Sequence, residues 1–326
     1  MKHLLITGGC GFIGSNFIRH LLSTATNVIV YNLDKLTYAG NTANLKEFEK
    51  NPNYHFIKGD ICDEHLVNSV ISKIDTVIHF AAESHVDRSI HSSEDFINTN
   101  VVGTRVLLDA AMQRGRVEKF IHFSTDEVYG VIERGSFLED SPFRPTSPYA
   151  ASKAAADLLV QSYQKTHRFP AIILRGSNNF GPYQFPEKVI PLFITNLIEV
   201  KKLPLYSRGE NSREWIFVDD TCRAISVILE KGRIGEVYNV GSGFEISNYE
   251  LAKMILSEFR RDESEINYVP DRPAHDLRYK LNSDKLKELG FKAELPFSKR
   301  LSETVQWYKA HSEWWKSLKK DQFTCK

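Results

Sequence analysis

The residues best suited to acid–base chemistry lie in two short segments near the middle of the 326-residue chain. Asp126 and Glu127 are adjacent in the segment 124–130 (STDEVYG). Two such carboxyl groups can act as general acid and general base if their environments keep one protonated and the other ionised. Tyr149 and Lys153 are four residues apart, so a helix would place them on one face. Because an ammonium group beside a phenol favours the phenolate, this pair predicts that Tyr149 acts as a base.

Each segment also has an ordinary structural interpretation. Ser or Thr followed by acidic residues is typical of a helix start, which residues 124–127 would satisfy. A Tyr and a Lys one turn apart are common on helix surfaces. The position of both segments after the fifth predicted strand favours catalysis, because open parallel sheets bind ligands beyond the carboxyl ends of their strands.

The elements that must position these residues alternate between strand and helix in the first half of the chain. Short apolar runs predict buried strands at 3–7, 28–32, 55–58, 76–80, 119–124 and 171–175. Amphipathic patterns predict helices at 12–22, 64–72, 94–112 and 149–167. The alternation predicts an α/β fold with a Rossmann-type, doubly wound parallel sheet.

After about Arg175 the pattern is less regular, and prolines interrupt it. We predict a smaller, mostly C-terminal α+β region that binds substrate, with a last helix over 299–315. The expected dinucleotide-binding domain is 1–176, and the expected substrate-binding domain is 177–213 with 241–326. Residues 214–240 are expected to return to the first domain, with 215–218 and 237–240 as strands of the main sheet.

A glycine-rich turn follows the first predicted strand and opens the first predicted helix. Gly8, Gly11 and Gly14 are three residues apart. In a dinucleotide-binding turn, the first such glycine permits the tight turn, the second lets the backbone approach a pyrophosphate, and the third allows close helix–sheet packing. The phosphates would then lie at a helix N-terminus, which favours anions.

Acidic residues end the second and third predicted strands. Asp34 lies about 20 residues beyond Gly14, where a carboxylate accepts hydrogen bonds from the adenosine ribose. Because a carboxylate there would repel a 2′-phosphate, NAD is favoured over NADP, although the adjacent Lys35 would suit that phosphate. Asp60 fits either an adenine contact or a turn.

The composition excludes several other classes of protein. Apolar residues make up 42% and charged residues 25%, and 42 basic residues face 41 acidic ones. No global field therefore attracts nucleic acid or an acidic membrane, and an anionic ligand must meet a few local Arg or Lys. The four scattered cysteines predict free thiols, no metal site and a reducing compartment. The short apolar start and the absence of a long apolar run predict a cytoplasmic protein without signal peptide or membrane span.

Several longer segments resemble the dTDP-glucose 4,6-dehydratase family of the extended short-chain dehydrogenase/reductases. They are 34–41 (DKLTYAGN), 81–90 (AAESHVDRSI), 124–130, 177–188 (SNNFGPYQFPEK) and 271–276 (DRPAHD), together with Tyr149 and Lys153. The resemblance covers nearly the whole length. Two positions depart from it: Cys10 stands where the family more often has Ala, and Ala274 where it usually has Gly.

The resemblance implies dehydration of dTDP-glucose or UDP-glucose to the 4-keto-6-deoxy sugar, with NAD retained throughout. Tyr149, assisted by Lys153 and Thr125, would remove the proton of the 4-hydroxyl while the C4 hydride passes to NAD. Glu127 would then remove the C5 proton, Asp126 would protonate the departing 6-hydroxyl, and the hydride would return to C6. The expected cofactor-binding residues, including those argued above, are Gly8, Gly11, Phe12, Ile13, Gly14, Asp34, Lys35, Thr37, Asp60, Ile61, Ala81, Ala82, Thr99, Tyr149, Lys153 and Asn179. The substrate-binding residues that it implies are Ser84, Thr125, Asn178, Glu187, Lys188, Arg213, Asn248, Arg272 and His275.

Other functions fit parts of this pattern. A nucleotide-sugar 4-epimerase shares the fold, NAD and the Tyr/Lys pair but needs no acid–base pair for elimination. A GDP-mannose dehydratase shares the chemistry but resembles this chain less and usually prefers NADP. A catalytically inactive NAD-binding regulator would not need to retain all four catalytic side chains.

The resemblance also implies a homodimer joined by a four-helix bundle. Helices over 94–112 and 152–167 would form it. The small side chains of Ala154, Ala155 and Ala156 would allow close packing on a partner helix. Packing of these alanines on their own sheet is the alternative.

Overall fold

The computed structural model describes residues 2–114, 116–206, 208–271 and 276–320. Its strands are β1 (Lys2–Thr7), β2 (Val28–Asp34), β3 (Tyr54–Lys58), β4 (Thr76–His79), β5 (Lys119–Thr125), β6 (Ala171–Gly176), β7 (Asn178–Phe180), β8 (Leu203–Tyr206), β9 (Ser212–Phe217), β10 (Val237–Val240), β11 (Glu245–Ser247) and β12 (Ile266–Val269). Its α-helices are α1 (Phe12–Thr24), α2 (Glu64–Ile71), α3 (Val86–His91), α4 (Glu94–Phe96), α5 (Thr104–Arg114), α6 (Pro148–His167), α7 (Val189–Ile198), α8 (Val218–Lys231), α9 (Asn248–Glu258), α10 (Asp284–Glu288), α11 (Phe297–Ala310) and α12 (Ser312–Lys320). A π-helix covers Ile97–Gly103, and 3-10 turns cover Thr42–Phe48, Asp126–Tyr129 and Glu263–Glu265.

Seven strands form one parallel sheet in the order β10-β6-β5-β4-β1-β2-β3. This is the doubly wound arrangement predicted from the sequence. The order reverses between β1 and β4, so the connections leaving these two strands diverge. The resulting crevice at the carboxyl ends is where such sheets bind ligands.

Continuous apolar runs explain the burial of this sheet on both faces. Successive strand residues point to opposite sides, so Leu4 and Ile6 pack with α1 and α8, while Leu5 packs with α2 and α5. All three side chains are buried. Helices thus cover both faces, which is the condition for a wholly parallel sheet.

The smaller region contains a three-stranded sheet in the order β11-β9-β7 and a two-stranded sheet of β12 and β8. Its core includes aromatic side chains from several elements, among them Phe193, Trp215, Tyr308 and Trp315. In the described part of the chain, no helix has both the length and the apolar character that a membrane span requires.

One strand assignment from the sequence was wrong. Residues 215–217 belong to β9 and pair with β7, residues 212–214 of the same strand pair with β11, and Val218 begins α8. Phe180 of β7 packs edge-on against the rings of Trp215 and Phe217, at 6.3 and 5.5 Å between centroids. This aromatic packing gives β9 its place in the smaller sheet. Residues 237–240 do join the main sheet, as β10 beside β6.

Two predicted helices are interrupted. The last one divides into α11 and α12 at His311, whose backbone is not helical and whose ring stacks on Trp307 at 4.4 Å. The predicted helix 94–112 contains the π-helix Ile97–Gly103 between α4 and α5. Such local widening of a helix occurs frequently at functional sites.

Of the three alanines predicted to pack against a partner helix, only one has an exposed surface within the single chain. Ala154 and Ala156 are buried within the chain, so their predicted role in dimer packing was wrong, and Ala155 is half-buried. The outer face of α6 instead exposes Ala151 and Leu158, the latter 54% exposed. Ala154 and Ala156 are thus on the side of α6 that packs against the rest of the chain.

Candidate active site

A cavity of about 390 Å³ lies at the crevice where the strand order reverses. The predicted cofactor residues all line it: Gly8, Gly11, Phe12, Ile13, Gly14, Asp34, Lys35, Thr37, Asp60, Ile61, Ala81, Ala82, Thr99, Tyr149, Lys153 and Asn179. Thr125 and Glu127 also line it, as do four predicted substrate residues: Ser84, Asn178, Glu187 and Lys188. The residues predicted to bind the dinucleotide and those predicted to catalyse the reaction therefore line the same cavity.

The glycine turn has the shape that a dinucleotide requires. Gly8 has φ +70°, and a Cβ there would lie 2.6 Å from the Ala81 backbone nitrogen. A Cβ on Gly14 would lie 2.4 Å from the Gly8 carbonyl oxygen, so this glycine allows the helix to pack on the turn. A Cβ on Gly11 would meet only the Gly8 carbonyl oxygen, at 3.2 Å, and otherwise fill open space. No side chain caps the start of α1, so its first N–H groups can meet a phosphate.

Asp34 is fixed at the end of β2. Its carboxylate accepts hydrogen bonds of 2.8 Å from the backbone N–H groups of Cys10 and Leu36, while burial raises its pKa. Lys35 Nζ lies 2.7 Å from the carboxylate of Asp60. Because Asp60 pairs with this ammonium group, Lys35 is less suited to a 2′-phosphate, and the pocket fits NAD.

The segment 81–84 is held by Asn100, a residue that the sequence analysis missed. The Asn100 amide accepts from the Glu83 N–H at 2.9 Å and donates to the Glu83 carbonyl at 3.0 Å and to the Ser152 hydroxyl at 2.8 Å. Asn100 lies in the π-helix, so a segment of the cavity wall is tied to α6. A lone Asn in an apparently regular helix carries no sequence signal for this role.

Tyr149 and Lys153 lie on α6, which begins at Pro148 after the N-cap Ser147. The Lys153 ammonium donates to the Phe123 carbonyl at 2.8 Å, and burial lowers the pKa of Lys153 to about 8. Burial, and then the charge of Glu127, raise the pKa of Tyr149, while a hydrogen bond with Thr125 lowers it. Burial thus opposes ionisation of the Tyr149 hydroxyl, and the action of Tyr149 as a base stays a prediction.

Asp126 and Glu127 occupy different environments, as acid–base catalysis requires. Asp126 is 1% exposed, and only Glu127 of the two lines the cavity. The Thr125 hydroxyl donates to Asp126 Oδ1 at 3.2 Å. Desolvation, followed by repulsion from Glu127 and Glu214, raises the pKa of Asp126 well above its ordinary value. These surroundings therefore favour the protonated form of Asp126, as a general acid requires.

The other four predicted substrate residues are not among those that line the cavity. Arg213 and Asn248 do not line the cavity; the Arg213 guanidinium instead donates to the Asp276 carbonyl at 2.9 Å and stacks over the Tyr279 ring at 4.5 Å. Arg272 and His275 lie outside the described residues. Arg213 thus binds the backbone of Asp276, the residue that directly follows 272–275. Among the residues that the structure describes, no group of three His, Cys, Asp or Glu side chains could hold a metal.

The sheet, the glycine turn and the Tyr–Lys pair define an extended short-chain dehydrogenase/reductase. The family model for GDP-mannose 4,6 dehydratase matches residues 5–304. A dTDP-glucose 4,6-dehydratase of Streptomyces niveus is 49% identical over 97% of this chain and 95% of its own. The solved dTDP-glucose 4,6-dehydratase of Streptomyces venezuelae, with NAD bound, is 48% identical with a TM-score of 0.95 over 97% of this chain and 100% of its own. The chain belongs to the dTDP-glucose 4,6-dehydratase family.

An epimerase shares the fold at greater sequence distance. The UDP-glucose 4-epimerase of Thermotoga maritima is 29% identical, with a TM-score of 0.88 over 95% of this chain and 99% of its own. The fold alone therefore does not separate dehydration from epimerisation. The distinction depends on side chains in the cavity.

Proposed function

We propose that this chain is an NAD-dependent nucleotide-sugar 4,6-dehydratase that converts dTDP-glucose or UDP-glucose to the 4-keto-6-deoxy sugar and water. The observation that carries the proposal is the contrast between Asp126, which is buried and has a raised pKa, and Glu127, which lines the cavity together with Tyr149. An elimination needs a proton donor and a proton acceptor at once, and this pair supplies both.

The first step is removal of the proton from the sugar's 4-hydroxyl. Tyr149 accepts it, and Lys153 and the Thr125 hydroxyl stabilise the developing phenolate. Bound NAD supplies the chemistry of taking up the C4 hydride and later returning it at C6. The glycine turn, Asp34, Asp60 and the segments around Ala82, Thr99 and Asn179 would hold it.

The second step is loss of water across C5 and C6. The 4-ketone acidifies the C5 hydrogen, so Glu127 can take that proton as a base. Asp126 gives its proton to the departing 6-hydroxyl, which leaves as water. Glu127 then returns its proton to C5 as the hydride is restored at C6, which gives the 4-keto-6-deoxy sugar with no net oxidation, so the cofactor can remain bound between turnovers.

The remaining assignments are proposals of the same kind. Ser84, Asn178, Glu187 and Lys188 would face the sugar, since they line the cavity. Arg213, Asn248, Arg272 and His275 would hold the diphosphate and nucleoside.

The proposed division into domains is 1–176 for the first domain and 177–213 with 241–326 for the second, with α8 and β10 belonging to the first. The free thiols of Cys10, Cys62 and Cys222 support a cytoplasmic location.

We also propose a homodimer formed through α6 and the neighbouring helix Thr104–Arg114 with the π-helix before it. Leu158 is 54% exposed on α6, and Ile97 is 50% exposed on the π-helix. Large apolar side chains exposed on adjoining helices are typical of surfaces that a partner covers. A self-complementary pairing would bury both patches at once.

The test is product formation from dTDP-glucose and UDP-glucose side by side, without added NAD. We expect a 4-keto-6-deoxy sugar from at least one substrate, and the ratio of rates identifies the preferred base. Conversion of glucose to galactose would favour the epimerase instead. Failure of both substrates, with NAD supplied, would contradict the acid–base assignment.

A further inference from the structure

Tyr38 and Glu187 meet across the cavity from distant parts of the chain. Tyr38 lies in the loop after β2, beside the predicted cofactor residues, and Glu187 lies in the loop before α7. The Tyr38 hydroxyl donates a hydrogen bond of 3.0 Å to Glu187 Oε1, and both residues line the cavity. The dehydration chemistry gives Tyr38 no role.

Further contacts hold the Glu187 carboxylate in place. Glu187 Oε2 lies 3.3 Å from His85 Nε2 and 3.8 Å from Arg88 Nη2. The Arg88 guanidinium in turn lies 3.7 Å from the centre of the Tyr38 ring, and Phe185 packs edge-on against that ring at 5.4 Å. The Glu187 side chain is only 9% exposed, so these groups largely replace water as its partners.

We propose that Tyr38, Arg88 and Glu187 form a clasp that closes the cavity over the bound cofactor and slows its release. The inference rests on the proposed function, because a dehydratase that returns its hydride in every turnover uses the same cofactor repeatedly. Tyr38 and Arg88 are positioning residues in this arrangement, since they act by holding Glu187.

The position of the clasp explains why it would control release. One side belongs to the loop that follows Asp34, and the other to the loop that carries Gln184 and Lys188, so the clasp joins both walls of the cavity. Opening it leaves a buried carboxylate without one of its donors, and hydrogen bonds to ionised groups are stronger than neutral ones. Loss of the Tyr38 hydroxyl should speed release about tenfold, which corresponds to about 1.4 kcal/mol.

The experiment is exchange of bound NAD for labelled NAD in the purified holoenzyme. Tyr38→Phe removes only the hydroxyl, and we expect about tenfold faster exchange. Tyr268→Phe is the matched control, because Tyr268 is 56% exposed on β12 and does not line the cavity. A folded Tyr38→Phe variant that exchanges at the native rate overturns the proposal.

A double-mutant cycle tests whether the two residues act as a pair. If Tyr38 acts through Glu187, the double variant Tyr38→Phe/Glu187→Gln should exchange no faster than the faster of the two single variants. Rates that multiply overturn the pairing. Exchange needs no turnover, so failure of the native enzyme to dehydrate either sugar would contradict the proposed function and leave this result intact.

Discussion

At the scale of single residues, the active site depends on one buried carboxyl group beside one that reaches the cavity. Asp126 and Glu127 are adjacent in sequence, yet the 3-10 turn Asp126–Tyr129 directs them into different surroundings. The types of these residues could be predicted from the sequence. The difference in their surroundings could not, because the pKa of Asp126 is raised chiefly by burial in the folded chain, with smaller effects from Glu127 and from Glu214, which is distant in sequence.

Glu127→Gln should separate oxidation from elimination. Gln cannot accept the C5 proton, so loss of water should slow about a hundredfold or more, while oxidation at C4 continues. Reduced cofactor should therefore accumulate on the enzyme after substrate is added, which stopped-flow absorbance would detect. Glu133→Gln, at an exposed position, is the control. Normal turnover in Glu127→Gln would contradict its role as the base.

Asp126→Asn should weaken catalysis and strengthen the fold. The amide cannot give a proton to the departing hydroxyl, so turnover should fall about a hundredfold. For stability, a carboxyl with a raised pKa in the folded state holds its proton more tightly there than in the unfolded chain. Its contribution is fully present below the ordinary pKa of 3.8 and is lost as the pH rises through the folded value.

The advantage of Asp126→Asn in unfolding free energy should therefore grow as the pH rises above 3.8. Urea unfolding of the native and variant proteins at a series of pH values would measure it. Asp140→Asn, at an exposed position, should show no such trend. A difference that shrinks as the pH rises would show that Asp126 is ionised in the folded protein.

At the scale of elements, local patterns located the main sheet better than the smaller region. The six strands predicted in the first half all exist. Five of them are short apolar runs that are largely buried, whereas β3, at the edge of the sheet, buries only Tyr54 fully. β9 was misplaced because its partner is set by contacts of Trp215 and Phe217 with Phe180, which no local pattern reveals. The π-helix likewise contains Asn100, whose hydrogen bonds join residues that are distant in the chain.

The π-helix provides a prediction at this scale, through Asn100. Asn100 is 1% exposed, and its amide makes three hydrogen bonds to Glu83 and Ser152. Asn100→Ala leaves buried partners unsatisfied, so unfolding free energy should fall by about 2–3 kcal/mol, and NAD should bind more weakly. Chemical denaturation and cofactor titration would measure both effects. Asn68→Ala, on the exposed side of α2, should change the unfolding free energy and the NAD affinity little. If both quantities fell equally in the two variants, the role given to Asn100 would be contradicted.

At the scale of the whole molecule, the cavity gathers side chains from many strand ends, which is why fold topology could predict much of it. Parallel strands present their carboxyl ends at one edge, so Gly8, Asp34, Ser84 and Thr125 were expected to converge, and they line one cavity. Tyr38 escaped notice because its partner Glu187 lies 149 residues away. Arg213 was assigned by resemblance alone, and the structure places it outside the cavity lining.

The surface of the molecule supports a last prediction, that Leu158→Arg prevents dimer formation. A twofold interface repeats every contact, so one substitution places two unpaired cations in the buried surface. Loss of a central apolar contact alone makes the free energy of association less favourable by about 2 kcal/mol. The buried charge weakens association further, so the dissociation constant should rise by well over tenfold. Sedimentation of the native protein and the variant at several concentrations would measure it. Val200→Arg, 74% exposed and away from these helices, should sediment like the native protein. A dimer that persists unchanged in Leu158→Arg would place the interface elsewhere, and a native monomer would contradict the dimer itself.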